Sequence, residues 1–252
     1  MSGSEKTDIQ RRRRSSLVRS PVLLLCLLAS CWQASRASAD EGTTKPFSPE
    51  ERTRLTSGEL VVRRVSERRA TLQLIGGSAW QVIKAPPAAV FQALLETRYY
   101  PRLLPAVSGA TLVSDHPELR RVRIEHKKGP LGISYRMALR IDAGRRDIGF
   151  KLNDPLDSGL RAAWGFLSVK PYGADRTLLS YGVMADPGEG LVVGLARSLI
   201  HDWLLRVPEQ VRKFMESGSG RGLYAKSAAK AVLSSARAHG QLDGGLLQQR
   251  TP

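Results

Sequence analysis

Between Ser78 and Pro105 the chain reads SAWQVIKAPPAAVFQALLETRYYPRLLP, and the four prolines in this stretch restrict its backbone more than any other feature of the sequence. A proline locks φ and has no N–H to donate, so it stops a strand and is tolerated in a helix only near the first turn. Trp80 and Val82 alternate with Gln81 and Ile83, which suits a strand that must end at Ala85-Pro86-Pro87. Val90, Phe91, Leu94 and Leu95 then fall at the spacing that builds one apolar helix face. Pro101 and Pro105 interrupt the chain twice more, while Tyr99, Tyr100, Leu103 and Leu104 keep it apolar. The expected unit is a strand, a proline-started helix and a short proline-bounded helix.

Two strands are expected upstream, Glu59 to Val65 and Ala70 to Ile75, with Gly76-Gly77 allowing a bend or bulge. Downstream of Pro105 strand follows strand. Val107 to Ser114 and Leu119 to His126 come first, the second with Val122 and Ile124 on one face and Arg121, Arg123 and Glu125 on the other. From Ile133 to Ile141 every second residue is apolar, with Arg136 and Arg140 between them, and Ile148, Phe150 and Leu152 continue the pattern. The strands at 160–170 and 176–185 carry apolar residues on both faces, so their inward side is left open. Antiparallel strands with one apolar face need a covering layer. Leu191, Leu195, Leu199, Trp203, Val207, Val211 and Phe214 recur every three or four residues and supply a helix for it, with Pro208 expected to kink or open that helix near Leu204. The predicted class is α+β: a curved antiparallel sheet around a long C-terminal helix, with two short helices after an early strand.

The wording IKAPPAAVF and YYPRLLP, the later GPLGISY from Gly129 to Tyr135 and the long C-terminal helix resemble START-like proteins. These form the SRPBCC superfamily, with its polyketide cyclase-like and coenzyme-Q-binding START-like members. The resemblance spans residues 59–216 and implies a helix-grip fold. It also implies an interior space for a hydrophobic small molecule, in a superfamily that holds carriers, cyclases and hydrolases alike.

The first 39 residues read as an export signal: Arg11 to Arg14 and Arg19 form a basic start, Val22 to Ala29 a short apolar run, and small residues follow. That run is shorter than the roughly 20 residues a membrane-spanning helix needs. Ala37-Ser38-Ala39 fits an ordinary cleavage site, whereas Leu28-Ala29-Ser30-Cys31 fits a lipoprotein signal that would leave Cys31 lipidated; both stay open. Cys26 and Cys31 are the only cysteines, so neither a disulfide nor a thiolate nucleophile is expected in the folded part. Residues 40–58 read as a linker, and 217–252 as a Gly/Ser linker followed by a disordered basic tail. Beyond the leader, 32 basic residues stand against 21 acidic ones. This excess favours an anionic partner, of which an anionic membrane surface fits an exported chain. Nucleic acid is not expected, because no basic motif interleaved with aromatics occurs.

No HExxH, GxSxG or phosphate-binding glycine loop is present. His116, His126, His201 and His239 are read as structural or surface residues, since neighbours such as Glu125 beside His126 diverge along a strand. No catalytic residue, metal or cofactor is therefore assigned. The inward residues Tyr135, Met137, Leu139 and Phe150, with Trp164 and Phe166 and closed by Leu199 and Trp203, would enclose a lipid, quinone or polyketide-like compound if the interior is hollow. The same residues would otherwise simply fill a core. The expected function is an exported carrier or sensor. The alternatives are a cyclase- or hydrolase-type enzyme served by Tyr135 and His126, which requires a second polar group in the pocket, and a non-catalytic interaction module.

Overall fold

The computed structural model describes residues 45–128, 131–154, 160–188, 202–222 and 225, the side chains of 127–132 excepted. Leu199, Cys31, the export signal, the basic tail from 226 and the helical stripe at 191–201 lie outside the described residues. The first described element is α1 (Pro49–Thr56), followed by β1 (Val61–Arg69), β2 (Leu72–Ile83), α2 (Pro87–Leu95), α3 (Tyr100–Leu103) and β3 (Val107–Asp115). Then come β4 (Leu119–Lys128), β5 (Leu131–Asp142), β6 (Asp147–Leu152), β7 (Ala162–Pro171), β8 (Thr177–Asp186) and α4 (Val207–Glu216). The eight strands form one antiparallel sheet in the order β1-β2-β8-β7-β6-β5-β4-β3. The one connection that crosses the sheet is the proline-punctuated segment from β2 to β3, which carries α2 and α3 over its inner face.

The prolines act as expected. Pro86 holds an extended φ of −62° and ψ of 144° as the cap of α2, and its carbonyl accepts from Ala89 and Val90. Ala89, Val90, Phe91, Ala93 and Leu94 are buried, so α2 has little exposed face to spare. Thr177 Oγ1 donates to the Ala85 carbonyl at 2.7 Å and fixes the exit of β2. At the other end the chain turns at residues 205–206 and restarts as α4, with Pro208 in its first turn and Val207, Val211, Phe214 and Met215 buried. The Tyr99 and Phe214 rings meet at 5.2 Å and tie α4 to the crossover segment.

Three sequence expectations are corrected. The strands anticipated at 70–75 and 78–83 are one continuous strand, β2, because its pairing runs unbroken through Gly76 and Gly77 on both sides. The glycines there serve close approach rather than a bulge: a Cβ would sit 1.9 Å from the Val183 carbonyl oxygen at Gly76 and 2.1 Å from that of Arg63 at Gly77. Residues 218–222, expected as linker, are helical.

The third correction concerns the stretch at 40–58, which holds α1. Ser48 and Glu51 form a reciprocal capping box, Ser48 Oγ accepting from the Glu51 N–H and Glu51 Oε2 accepting from the Ser48 N–H at 2.9 Å. Leu55 buries itself with Val61, Trp80 and Val82 on the outer face of the sheet, and Phe47 meets Trp80 edge-on at 5.2 Å. Arg63 holds this cover down. It donates to both Glu51 carboxylate oxygens at 2.9 and 2.6 Å and to the Lys45 and Pro46 carbonyls, and its guanidinium lies over the rings of Phe47 and Trp80.

Hydrogen bonds from Arg63 and then from the Ser48 backbone hold the Glu51 carboxyl down at about 2. A depressed pKa contributes stability that is fully present above the unfolded value of 4.5 and lost as pH falls towards 2. The stability difference between wild type and Glu51→Gln is therefore expected to be constant from pH 7 to pH 5 and to shrink towards zero near pH 2. Thermal unfolding of both chains across that range checks it. A difference that stays constant down to pH 2 would mean the carboxylate charge is not what holds α1.

Candidate functional site

The registers assign the inward side of every strand. Ile148 pairs with Leu167, and Phe150 pairs with Leu139 and with Gly165. Since side chains alternate, Ala163, Gly165, Leu167 and Val169 face inward on β7, and Leu179, Tyr181 and Val183 do so on β8. Trp164 and Phe166 consequently lie on the outer face. They were expected in the lining, and the correction follows from parity: Trp164 pairs with Lys151 and Phe166 with Gly149, both outward residues of β6. With two apolar faces on β7, the pattern alone held no signal for the choice.

Between the inner face and the helices lies a cavity of about 130 Å³. Tyr135, Met137 and Leu139 of β5, Ile148 and Phe150 of β6, Leu167 of β7 and Tyr181 of β8 form its floor. Leu94, Tyr100, Leu103, Leu104 and Pro105 of the crossover segment and Trp203, Leu204 and Val207 at and just before α4 form its roof. Five of the eight expected lining residues thus come together: Tyr135, Met137, Leu139, Phe150 and Trp203. Phe150 lies along Tyr181 at 5.9 Å between ring centres, and it has room because Gly165 beneath it carries no side chain.

The cavity has one polar corner. His126 follows Val122 and Ile124 on the inward side of β4, and its Nε2 lies 2.7 Å from the Tyr135 hydroxyl on β5. The two rings stack at 5.4 Å, and Trp203 meets the imidazole edge-on at 5.0 Å. Burial lowers the His126 pKa from its ordinary 6.5, with the backbone of Ala106 pulling less strongly the other way, so the ring is neutral at pH 7. Burial pushes the Tyr135 phenol up, and pushes up Tyr181 as well, to which the nearby Tyr135 adds. Both hydroxyls stay protonated and the corner is uncharged. Tyr100, also raised by burial, is committed elsewhere, donating to the Leu94 carbonyl at 3.2 Å.

His126 was the residue that reasoning from adjacency undervalued. It cannot face Glu125, but the same alternation that puts Val122 and Ile124 inward carries on to position 126. Its partner Tyr135 comes from the next strand, one diagonal step from the paired Ile133. Asp154 is on the loop after β6 and not in the lining. Among the described residues no group of three or more His, Cys, Asp or Glu side chains is placed to hold a metal ion.

The family model described as "Polyketide cyclase / dehydrase and lipid transport" matches residues 83–210. Among solved structures the chain is similar to TTHA0849 from Thermus thermophilus, at 17% identity and a TM-score of 0.49 over 60% of this chain and 97% of that one. It is also similar to a STAR-related lipid transfer protein from Xanthomonas axonopodis, at 15% identity and a TM-score of 0.48 over 61% and 99%. The Zhui aromatase/cyclase from Streptomyces sp. R1128 follows at 15% identity and 0.46 over 58% and 98%. No curated protein sequence matches the chain.

Proposed function

The chain belongs to the polyketide cyclase / dehydrase and lipid transport family, and within it we propose that this protein binds rather than transforms its guest. The guest is an apolar molecule with a ring-sized head that carries an oxygen, held as a carrier or sensor would hold it. The observation that supports this most is the lining: a largely carbon-walled space whose polar groups are neutral, His126 with Tyr135 and the nearby Tyr181 phenol, and no Asp, Glu, Lys or Arg among the described residues around it. At about 130 Å³ the space suits one ring, close to the roughly 150 Å³ of an engineered cavity that takes up benzene. A lipid, quinone or polyketide-like compound would place its head inside and leave the remainder outside. With the proton of the neutral imidazole on Nε2, His126 donates to the Tyr135 oxygen and leaves the phenol O–H to donate to the guest's oxygen.

A cyclase-type reading draws on the same pair, since Tyr135 beside His126 is the second polar group that reading requires. Enolate chemistry, however, needs a base to take the carbon-bound proton as well as a donor to the enolate oxygen, and burial lowers the basicity of the one imidazole in the described lining. Binding is therefore the better account. The sequence adds an exported location, periplasmic or lipid-tethered through Cys31, which places the carrier beside a membrane; mass spectrometry of the mature N-terminus decides between the two cleavage sites.

Quenching of Trp203 fluorescence by a para-alkylphenol tests the reading. Tyr135→Phe is expected to weaken alkylphenol binding about tenfold while changing binding of the matching alkylbenzene less than about twofold. Because His126 lies below its ordinary 6.5, affinity should be flat above that pH and fall only below it. Equal losses for both ligands would assign Tyr135 a packing role and remove the polar corner from the proposal. A lipid-free organic extract of protein from its native source would count against a carrier altogether.

A further inference from the structure

The outer face of β4, β5 and β6 carries a field of unpaired cations. The registers place Arg121 and Lys151 on either side of Ala138, Arg123 directly opposite Arg136, and Arg140 beside Gly149. Same-face neighbours are about 7 Å apart along a strand and about 5 Å apart across strands, so these five charges share a small patch. Among the described residues none of the five has an ion-pair partner; Arg121 reaches only the Asn153 side-chain oxygen, at 3.4 Å. Like charges directly opposite on neighbouring strands destabilise a sheet, and Arg123 against Arg136 is such a pair. Glu125, the one acid on this face of β4, pairs with Ser134 rather than with a cation. The half-buried rings of Trp164 and Phe166 border the patch, next to Lys151 and across Gly149 from Arg140.

We propose that this outer face, on the side of the sheet opposite the cavity, docks the protein on an anionic phospholipid surface. Cations that repel one another in the free protein are stabilised where lipid phosphates neutralise them. Aromatic rings beside cations suit the headgroup layer, where one edge is apolar and the other wet. The N-terminal cover, Lys45 to Thr56, also lies on the outer face. The inference extends the carrier reading to where the carrier works, but it rests on different atoms.

The full-length protein is titrated with vesicles of phosphatidylcholine containing 40% phosphatidylglycerol, and with phosphatidylcholine alone, at physiological salt. Wild type is expected to prefer the anionic vesicles, and Arg123→Gln/Arg136→Gln to bind them about 25-fold more weakly. The control Arg68→Gln/Arg102→Gln removes the same charge from exposed sites elsewhere and is expected to stay within about threefold of wild type. Thermal stability of the patch variant should be unchanged or higher, which separates lost docking from lost folding. Equal losses in the two variants would reduce the effect to net charge, and no loss in either would assign docking to the leader; both overturn the proposal. So does binding of a single-stranded oligonucleotide that depends on Arg123 and Arg136 more steeply than vesicle binding does. Alkylphenol binding should be the same in all these proteins, so failure of the docking proposal and failure of the cavity reading are told apart.

Discussion

Gly165→Ala is expected to cost the protein about 3 kcal/mol and to lower its melting temperature by about 10 °C, the largest loss from adding a single methyl to the cavity floor. A Cβ at this position would lie 2.1 Å from the Gly182 carbonyl oxygen and 2.4 Å from Phe150 Cζ. The second contact can be relieved by rotating the ring, but the first is to the backbone of the neighbouring strand, and moving it breaks the β7–β8 ladder. The double variant Gly165→Ala/Phe150→Leu separates the two. Removing the ring should restore less than half of the stability lost. Full restoration would mean that the ring alone fixed the requirement for glycine and that the ladder yields readily.

Leu139→Trp is expected to abolish guest uptake without unfolding the chain. Leu139 sits between Arg120 and Phe150 on the two neighbouring strands, and its side chain lines the cavity. Added bulk there fills space instead of displacing atoms, so the stability change should stay within about 2 kcal/mol. Alkylphenol affinity should nevertheless fall at least about 30-fold, because a space of about 130 Å³ does not hold both an indole and a guest ring. Leu112→Trp, the same change on the exposed part of edge strand β3, should leave uptake as it is. Undiminished uptake by Leu139→Trp would place the binding site outside this cavity.

The enzyme and carrier readings divide on chemistry that the fold does not choose between. Both use the His126–Tyr135 corner, where burial keeps the imidazole neutral and the phenol protonated, and they differ in whether a proton is moved there or only a hydrogen bond is made. The Tyr135→Phe comparison of two ligands differing in one oxygen therefore bears on both readings at once.

The sequence determined whatever depends on local stereochemistry and period. Prolines at 86, 87, 101 and 105 set the order strand, helix, short helix, since the ring's fixed φ and missing N–H act wherever the chain runs. Period-two alternation gave the inward side of β5 and β6, and with it Tyr135, Met137, Leu139 and Phe150. Tertiary structure decided what depends on neighbours distant in sequence. The inward side of β7, and so the outward placement of Trp164 and Phe166, followed from its pairing with β6 and β8, because both of its faces are apolar. The same holds for His126 beside Tyr135 from the adjacent strand, and for α1, which a polar sequence concealed until Arg63 and Trp80 gave it a surface to cover. Whether the interior was filled or hollow was likewise beyond any periodicity: a residue's sequence shows which way it faces, and only the opposing layer fixes how much room is left.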